Sequence, residues 1–183
     1  MFGIGQSETN ALKVLEQDHD AVDALFKQYE SDKDEMKPAQ KQKLATQICE
    51  MLTVHATIEE EIFYPAVRNL DEEVRDLVSE AAVEHQTLKD LVSRLESAPT
   101  DDPLYDAGVK VLSEYVKHHV REEENELFPK VKSSGIDLAD LGSKLEARKS
   151  QLAGRARRTS RNGSGGRRTR RESGDANEKR TSH

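Results

Sequence analysis

Up to residue 131 the apolar residues of the chain recur at helical spacing. The first run is Leu12, Leu15, His19, Val22, Phe26 and Tyr29, and the second is Leu44, Ile48, Met51, His55, Glu59 and Ile62. The third is Val74, Leu77, Ala81, His85, Leu88, Val92 and Leu95, and the fourth is Val111, Tyr115, His119, Glu123 and Leu127. None of them alternates with period two over any length, which argues against a sheet. Pro38 is placed to open the second helix, Asp71 to cap the third, and Pro99, Asp101 and Pro103 to part the third from the fourth. The pattern predicts helices over 9–31, 38–66, 71–97 and 102–131. Short connections make neighbours antiparallel, so the expected fold is all-α: an up-down-up-down four-helix bundle. A short fifth helix, Asp137 to Leu152, carries Leu138, Leu141, Leu145 and Leu152 on one face.

Beyond Gly154 no apolar residue is larger than Ala. Such a segment buries too little to offset its ordering entropy. The chain therefore divides into a helical bundle over 9–152 and a disordered Arg-rich tail over 153–183. Charge divides at nearly the same place. Met1 to Ala147 holds 16 Lys/Arg against 32 Asp/Glu, and Arg148 to His183 holds 12 against 3, so an acidic body carries a basic tail. No stretch approaches the ~18 apolar residues of a membrane span, and the first ten residues lack the basic start and apolar run of a secretory signal. Cys49, the single cysteine, sits mid-pattern and reads as core filler. A cytoplasmic protein is expected.

The two halves of the bundle repeat. His55-Ala-Thr-Ile-Glu59-Glu60 matches His119-Val-Arg-Glu-Glu123-Glu124, with an aromatic nine residues and a proline ten residues after each histidine (Tyr64 and Pro65, Phe128 and Pro129). His19 and His85 stand singly in the first and third runs. Each helix thus places one histidine in its apolar seam, and two glutamates follow one turn on. A lone seam histidine usually reads as a satisfied core residue. Two carboxylates in the same seam change that, because an ionised carboxylate inside a protein costs several kcal/mol unless a cation answers it. Lys89 is the only evident seam cation. A bound metal would compensate both carboxylates and four imidazoles together. Six such ligands exceed the needs of one tetrahedral zinc. They suit iron or manganese, with the two carboxylates bridging two ions and leaving open positions for small molecules.

These residues resemble the hemerythrin-like (HHE cation-binding) domain over roughly 9–152. The resemblance implies a centre of two iron ions, non-haem, bridged by carboxylates and an oxo group, that binds or reacts with oxygen, nitric oxide or peroxide. Carried over residue by residue, it puts His19 and His55 on one iron, His85 and His119 on the other, and Glu59 and Glu123 between them. One departure stands out. Oxygen-carrying hemerythrins have a second histidine one turn after the third-helix ligand, where this chain has Lys89. That argues against a plain oxygen carrier, and the four-histidine, two-carboxylate set resembles iron-centre repair proteins.

Residues around the six are read more blandly. His118 is expected to face away from the seam, with a role as substitute ligand as the alternative. Tyr115 is expected to pack in the core, and a metal-facing phenol is the alternative. Lys89 either reaches solvent or lines the site. Asp18 and Glu84, each just before a ligand histidine, and Glu60, Glu61, Glu122 and Glu124 are expected on solvated faces; anchoring of a neighbouring imidazole is the alternative for the first two. The tail reads equally as a non-specific nucleic-acid arm and as a solubilising segment lying on the acidic body. Three functions survive: a di-iron redox or gas-binding protein of stress response or sensing, an iron-handling protein, and a metal-sensing bundle tethered to nucleic acid.

Overall fold

The first helix begins where a side chain can take up a free backbone amide: Asn10 Oδ1 accepts the Lys13 N–H at 3.0 Å. The computed structural model describes residues 10–163, and all regular secondary structure among them is helical. Helix α1 spans Ala11–Asp32. Helix α2 spans Pro38–Ile58, with Pro38 in its first turn, and runs on through a π-helical turn, Glu59–Phe63, into Tyr64–Val67. Helix α3, Glu72–Ser97, is capped by Asp71, whose side chain accepts the Val74 N–H at 2.8 Å. Helix α4, Tyr105–Glu122, likewise continues through a π turn, Glu123–Leu127, into Phe128–Ser133. Helix α5 spans Leu138–Gly163.

Helices α1 to α4 pack in a closed ring, each on its neighbours in sequence and α4 back on α1, while α5 lies across α1 and α2. This is the expected bundle. Helix α4 starts three residues later than the pattern predicts, because Asp102 closes a turn by accepting the Leu104 N–H. Helix α5 continues past Leu152 to Gly163, and the rest of the arginine-rich tail, 164–183, lies outside the described residues. No helix among the described residues is long and apolar enough to cross a membrane.

The fourth apolar run needs correction. Val111 is 50% exposed, whereas Tyr105, Val109, Leu112, Val116 and His119 are buried. Eight residues back from His119 rotates the side chain roughly 80° off the seam, whereas seven back misses it by about 20°.

Two apolar clusters fill the bundle. One gathers Leu15, Ile58, Phe63, Val67, Leu127 and Leu145 at the α5 end, and the other gathers Phe26, Tyr29, Ile48, Leu88 and Leu112 at the opposite end. Cys49 belongs to the second, and burial pushes its thiol up to about 12, so it is inert filler as expected.

Helix α5 docks by a close approach. A Cβ on Gly142 would sit 2.7 Å from the Asn10 carbonyl carbon and 2.8 Å from the Ala11 nitrogen. Gly142→Ala should therefore push α5 off α1 at a cost of about 1–3 kcal/mol, lowering the melting temperature by roughly 2–12 °C at 2–4 °C per kcal/mol. An unchanged melting temperature would mean that α5 is not held there.

Candidate metal centre

Between the two apolar clusters lies a belt of eight buried polar residues: Asp18, His19, His55, Glu59, Glu84, His85, His119 and Glu123. The six residues singled out in the sequence all fall inside it and converge. His19 Nε2 is 3.1 Å from His55 Nε2, and His85 Nε2 is 3.1 Å from His119 Nε2. Glu59 lies between these pairs, its Oε2 3.1 Å from His55 Nε2 and 3.4 Å from His85 Nε2. Glu123 does the same from the other side, its Oε2 3.4 Å from His19 Nε2 and 3.7 Å from His119 Nε2.

The backbone explains how Glu59 and Glu123 reach the centre. Each begins a π turn, in which the N–H of Tyr64 or Phe128 bonds the carbonyl five residues back. The prolines that follow, Pro65 and Pro129, cannot donate, and their rings crowd the carbonyl four back. Widening the helix by one residue at that point relieves the conflict, and π turns of this kind recur at functional sites.

Carboxylates then decide which face of each imidazole looks inward. His19 Nδ1 lies 2.8 Å from Glu124, His85 Nδ1 3.1 Å from Glu60, and His119 Nδ1 2.7 Å from Glu84. An ionised carboxylate only accepts, so each Nδ1 carries the proton and each Nε2 presents a lone pair to the centre. His55 Nδ1 faces Asp18 at 3.6 Å, beyond hydrogen-bond reach, and Asp18 is in turn paired with Lys149 of α5. The arrangement repeats across the halves: Asp18 matches Glu84, and Glu60 matches Glu124. Asp18 and Glu84 are buried and thus leave the solvated role expected of them, whereas Glu60, partly exposed, and Glu124, exposed, keep a solvent-facing side while each holds an imidazole. Glu61 keeps it, exposed and bonded by Arg148 at 2.6 and 3.0 Å, and so does Glu122, which is partly exposed.

Lys89 does not line the site. Its Nζ donates to both Glu60 oxygens at 2.7 and 2.6 Å, on the outer side of His85. His118 is exposed and turns toward Glu84 and Glu122. Tyr115 packs against the far apolar cluster, and the phenol in the site belongs to Tyr64 instead. Its O–H donates to Glu123 Oε1 at 2.8 Å, with His85 Nε2 3.3 Å away. In the sequence Tyr64 stands out only as the aromatic of the repeat; its counterpart, Phe128, stacks on His19 at 6.0 Å.

The donor set fits a metal. Both oxygens of Glu59 and Oε2 of Glu123 are buried without a hydrogen-bond partner. Facing lone pairs 3.1 Å apart repel, unless a cation sits between them at the ~2.0–2.1 Å of a metal–imidazole bond. Two groups of potential ligand atoms result, His19, His55, Glu59 and Glu123, and Glu59, His85 and His119. Without a metal, protons take its place. Burial alone would lower His55, but Glu59, Asp18 and Glu123 outweigh it and raise it to about 10. Burial also opposes His119, which Glu123 and Glu84 raise, while for His85 burial prevails and lowers it. A metal held by His55 at pH 7 would displace its proton. Binding of Co²⁺ should therefore release protons, measurable by calorimetry in buffers of different ionisation enthalpy, and weaken as pH falls. Proton-neutral binding would exclude His55 as a ligand.

Comparison with known proteins agrees with this geometry. The profile of the hemerythrin HHE cation binding domain matches residues 10–131. A solved hemerythrin HHE cation binding domain-containing protein from Mycobacterium kansasii superposes with a TM-score of 0.69 at 27% identity, covering 83% of this chain and 92% of that one. A DNA nickase from Nostoc sp. is 29% identical over 154 residues, which is 82% of this chain; the chain spans 42% of that relative's length. By its profile match, its fold and its buried His/Glu cluster, the chain belongs to the hemerythrin HHE cation-binding family.

Proposed function

We propose that the protein holds two non-haem iron ions on His19, His55, His85, His119, Glu59 and Glu123, and binds or reacts with oxygen, nitric oxide or peroxide. The observation that carries this reading is the pairing of Nε2 atoms at 3.1 Å with a partnerless carboxylate between the pairs. Iron bound there supplies a one-electron couple and open positions for small molecules.

The chain's own residues do the rest. Glu124, Glu60 and Glu84 fix the tautomers and ring orientations of three imidazoles. Tyr64 keeps its proton, since burial and the nearby Glu123 and Glu59 carboxylates push its phenol well up, and that O–H orients Glu123. The apolar clusters at both ends close the centre to water from along the bundle. A cleft of about 260 Å³ between α1 and α4 reaches His19 past Phe26, Lys117 and Arg121, which suits a small ligand better than a large substrate. A cytoplasmic setting suits Cys49, a buried thiol with no cysteine to pair with.

Aerobically purified protein should show the absorption of a bridged di-ferric centre, altered by azide, nitric oxide or peroxide. Iron that leaves readily to a chelator, with no spectral response to those ligands, would favour the iron-handling reading instead. The similarity to a DNA nickase favours one further reading, a basic segment that binds nucleic acid. It predicts DNA retention that weakens steeply with salt and disappears on truncation after Gly154; absent or salt-insensitive retention would remove it.

A further inference from the structure

The chain contains a third His-x-x-x-Glu, which the buried centre does not use. His118 and Glu122 lie one residue before His119 and Glu123, so they occupy the same helix one step around, on its α3 side. His118 Nε2 is 3.2 Å from Glu122 Oε1 and 3.6 Å from Glu84 Oε1. The potential ligand atoms of all three residues fall within 4.8 Å of one another. Glu84 joins this group to the centre, because its other oxygen, Oε2, holds His119 Nδ1 at 2.7 Å. A narrow cleft runs alongside, lined by Glu80, Glu84 and Glu122 at the rim and by His119 and Glu123 within. It offers about 10 Å³ of free space, room for roughly one water-sized particle. At its inner end the cleft meets Glu123, 2% exposed, whose unpartnered Oε2 faces His19 and His119 in the buried centre.

The other half of the bundle keeps one carboxylate of this group and lacks the other two ligands. In the repeat, Val54 stands for His118 and Ile58 for Glu122, and Asp18, the counterpart of Glu84, is capped by Lys149 of α5. One side is sealed by two apolar residues and a lysine. The other sets an exposed imidazole and a partly exposed carboxylate beside the buried Glu84.

Resting on the metal-centre reading above, we propose that Glu84, His118 and Glu122 form a docking site for a divalent first-row cation at the entrance of the α3–α4 cleft. Two carboxylates and one imidazole bind such ions while leaving about half of the roughly six positions to water, as a site that must release its ion requires. From there the ion passes along the cleft, where Leu77, Ala81 and Leu127 share the walls with Glu84 and Glu122, toward His119 and Glu123. The competing account is an exposed ion pair between His118 and Glu122, four residues apart on one helix, that holds no metal.

The test is a titration of the metal-free full-length protein with Co²⁺, in the wild type and in His118→Ala/Glu122→Gln, with melting temperatures confirming that both are folded. The wild type should bind one ion more than the variant, and the buried centre of the variant should fill about tenfold more slowly at limiting Co²⁺, as expected when a focusing charge is lost. His118→Asp, which restores a ligand oxygen, should recover both. Equal ion counts in wild type and variant overturn the site, whatever the rates. A lost ion with an unchanged filling rate keeps the site but overturns its role as an entrance. A wild type that binds a single ion, lost in the variant, upholds the site and overturns the di-metal centre instead.

Discussion

Glu59→Ala should cost the protein at least one of its metal ions, and Glu59→Ala/Glu123→Ala should leave it close to metal-free. Both carboxylates sit between the two histidine pairs, so each faces one nitrogen of either pair. Removing one deprives both ions of a shared ligand, and removing both leaves two pairs of neutral imidazoles with no charge to hold a divalent ion. The variants should nevertheless fold. In the metal-free protein Glu59 is the main support of the His55 proton, 3.1 Å away, so the metal-free Glu59→Ala variant should lose most of the pH dependence of melting that wild type shows between pH 6.5 and 9.5. Full metal loading in the double variant, read by elemental analysis, would end the bridging assignment.

Metal removal should have the second large effect. A ligand that binds only the folded state at a hundredfold excess over its Kd adds about 2.7 kcal/mol. Two such ions amount to roughly 5 kcal/mol, or a fall in melting temperature of about 10–20 °C on chelation at 2–4 °C per kcal/mol. The size of the fall depends on pH with a definite sign. In the metal-free protein His55 is raised from 6.5 to about 10, chiefly by Glu59 acting against burial. The proton on His55 therefore stabilises the metal-free fold fully below pH 6.5, and that contribution is lost as pH climbs toward 10. Metal-free protein should melt lower at pH 9.5 than at pH 6.5, while the metal-loaded form, whose ligands are already deprotonated, should not lose stability by this route. Equal melting temperatures with and without metal, at either pH, would show that the belt is satisfied without an ion.

The bundle and its six inward-facing His and Glu residues were legible because helical periodicity and the His-x-x-x-Glu spacing are properties of one helix at a time. What was not legible depends on a neighbouring helix. Asp18 and Glu84 read as solvated because each lies one residue before a seam histidine. They are buried because each turns toward the imidazole of the next helix, His55 and His119 respectively. Lys89 pointed at the site by its position, yet Glu60 draws its charge outward. Tyr64 and Phe128 occupy equivalent places in the repeat, and only three dimensions show that the phenol of one enters the site while the ring of the other stacks on His19. Pro65 and Pro129 did carry a readable sign of the π turns, since a proline six residues after the motif glutamate cannot continue a regular helix. Gly142 carried none, because its constraint is the backbone of Asn10 and Ala11 in a distant part of the chain.

What fills the space between the two histidine pairs decides what the protein does. The most direct measurement is elemental analysis of the full-length protein purified aerobically without added metal, with iron, manganese and zinc determined against protein concentration. The prediction is about two ions per chain, predominantly iron. A single zinc, or no stoichiometric metal in protein that is folded and retains its melting temperature, would contradict it.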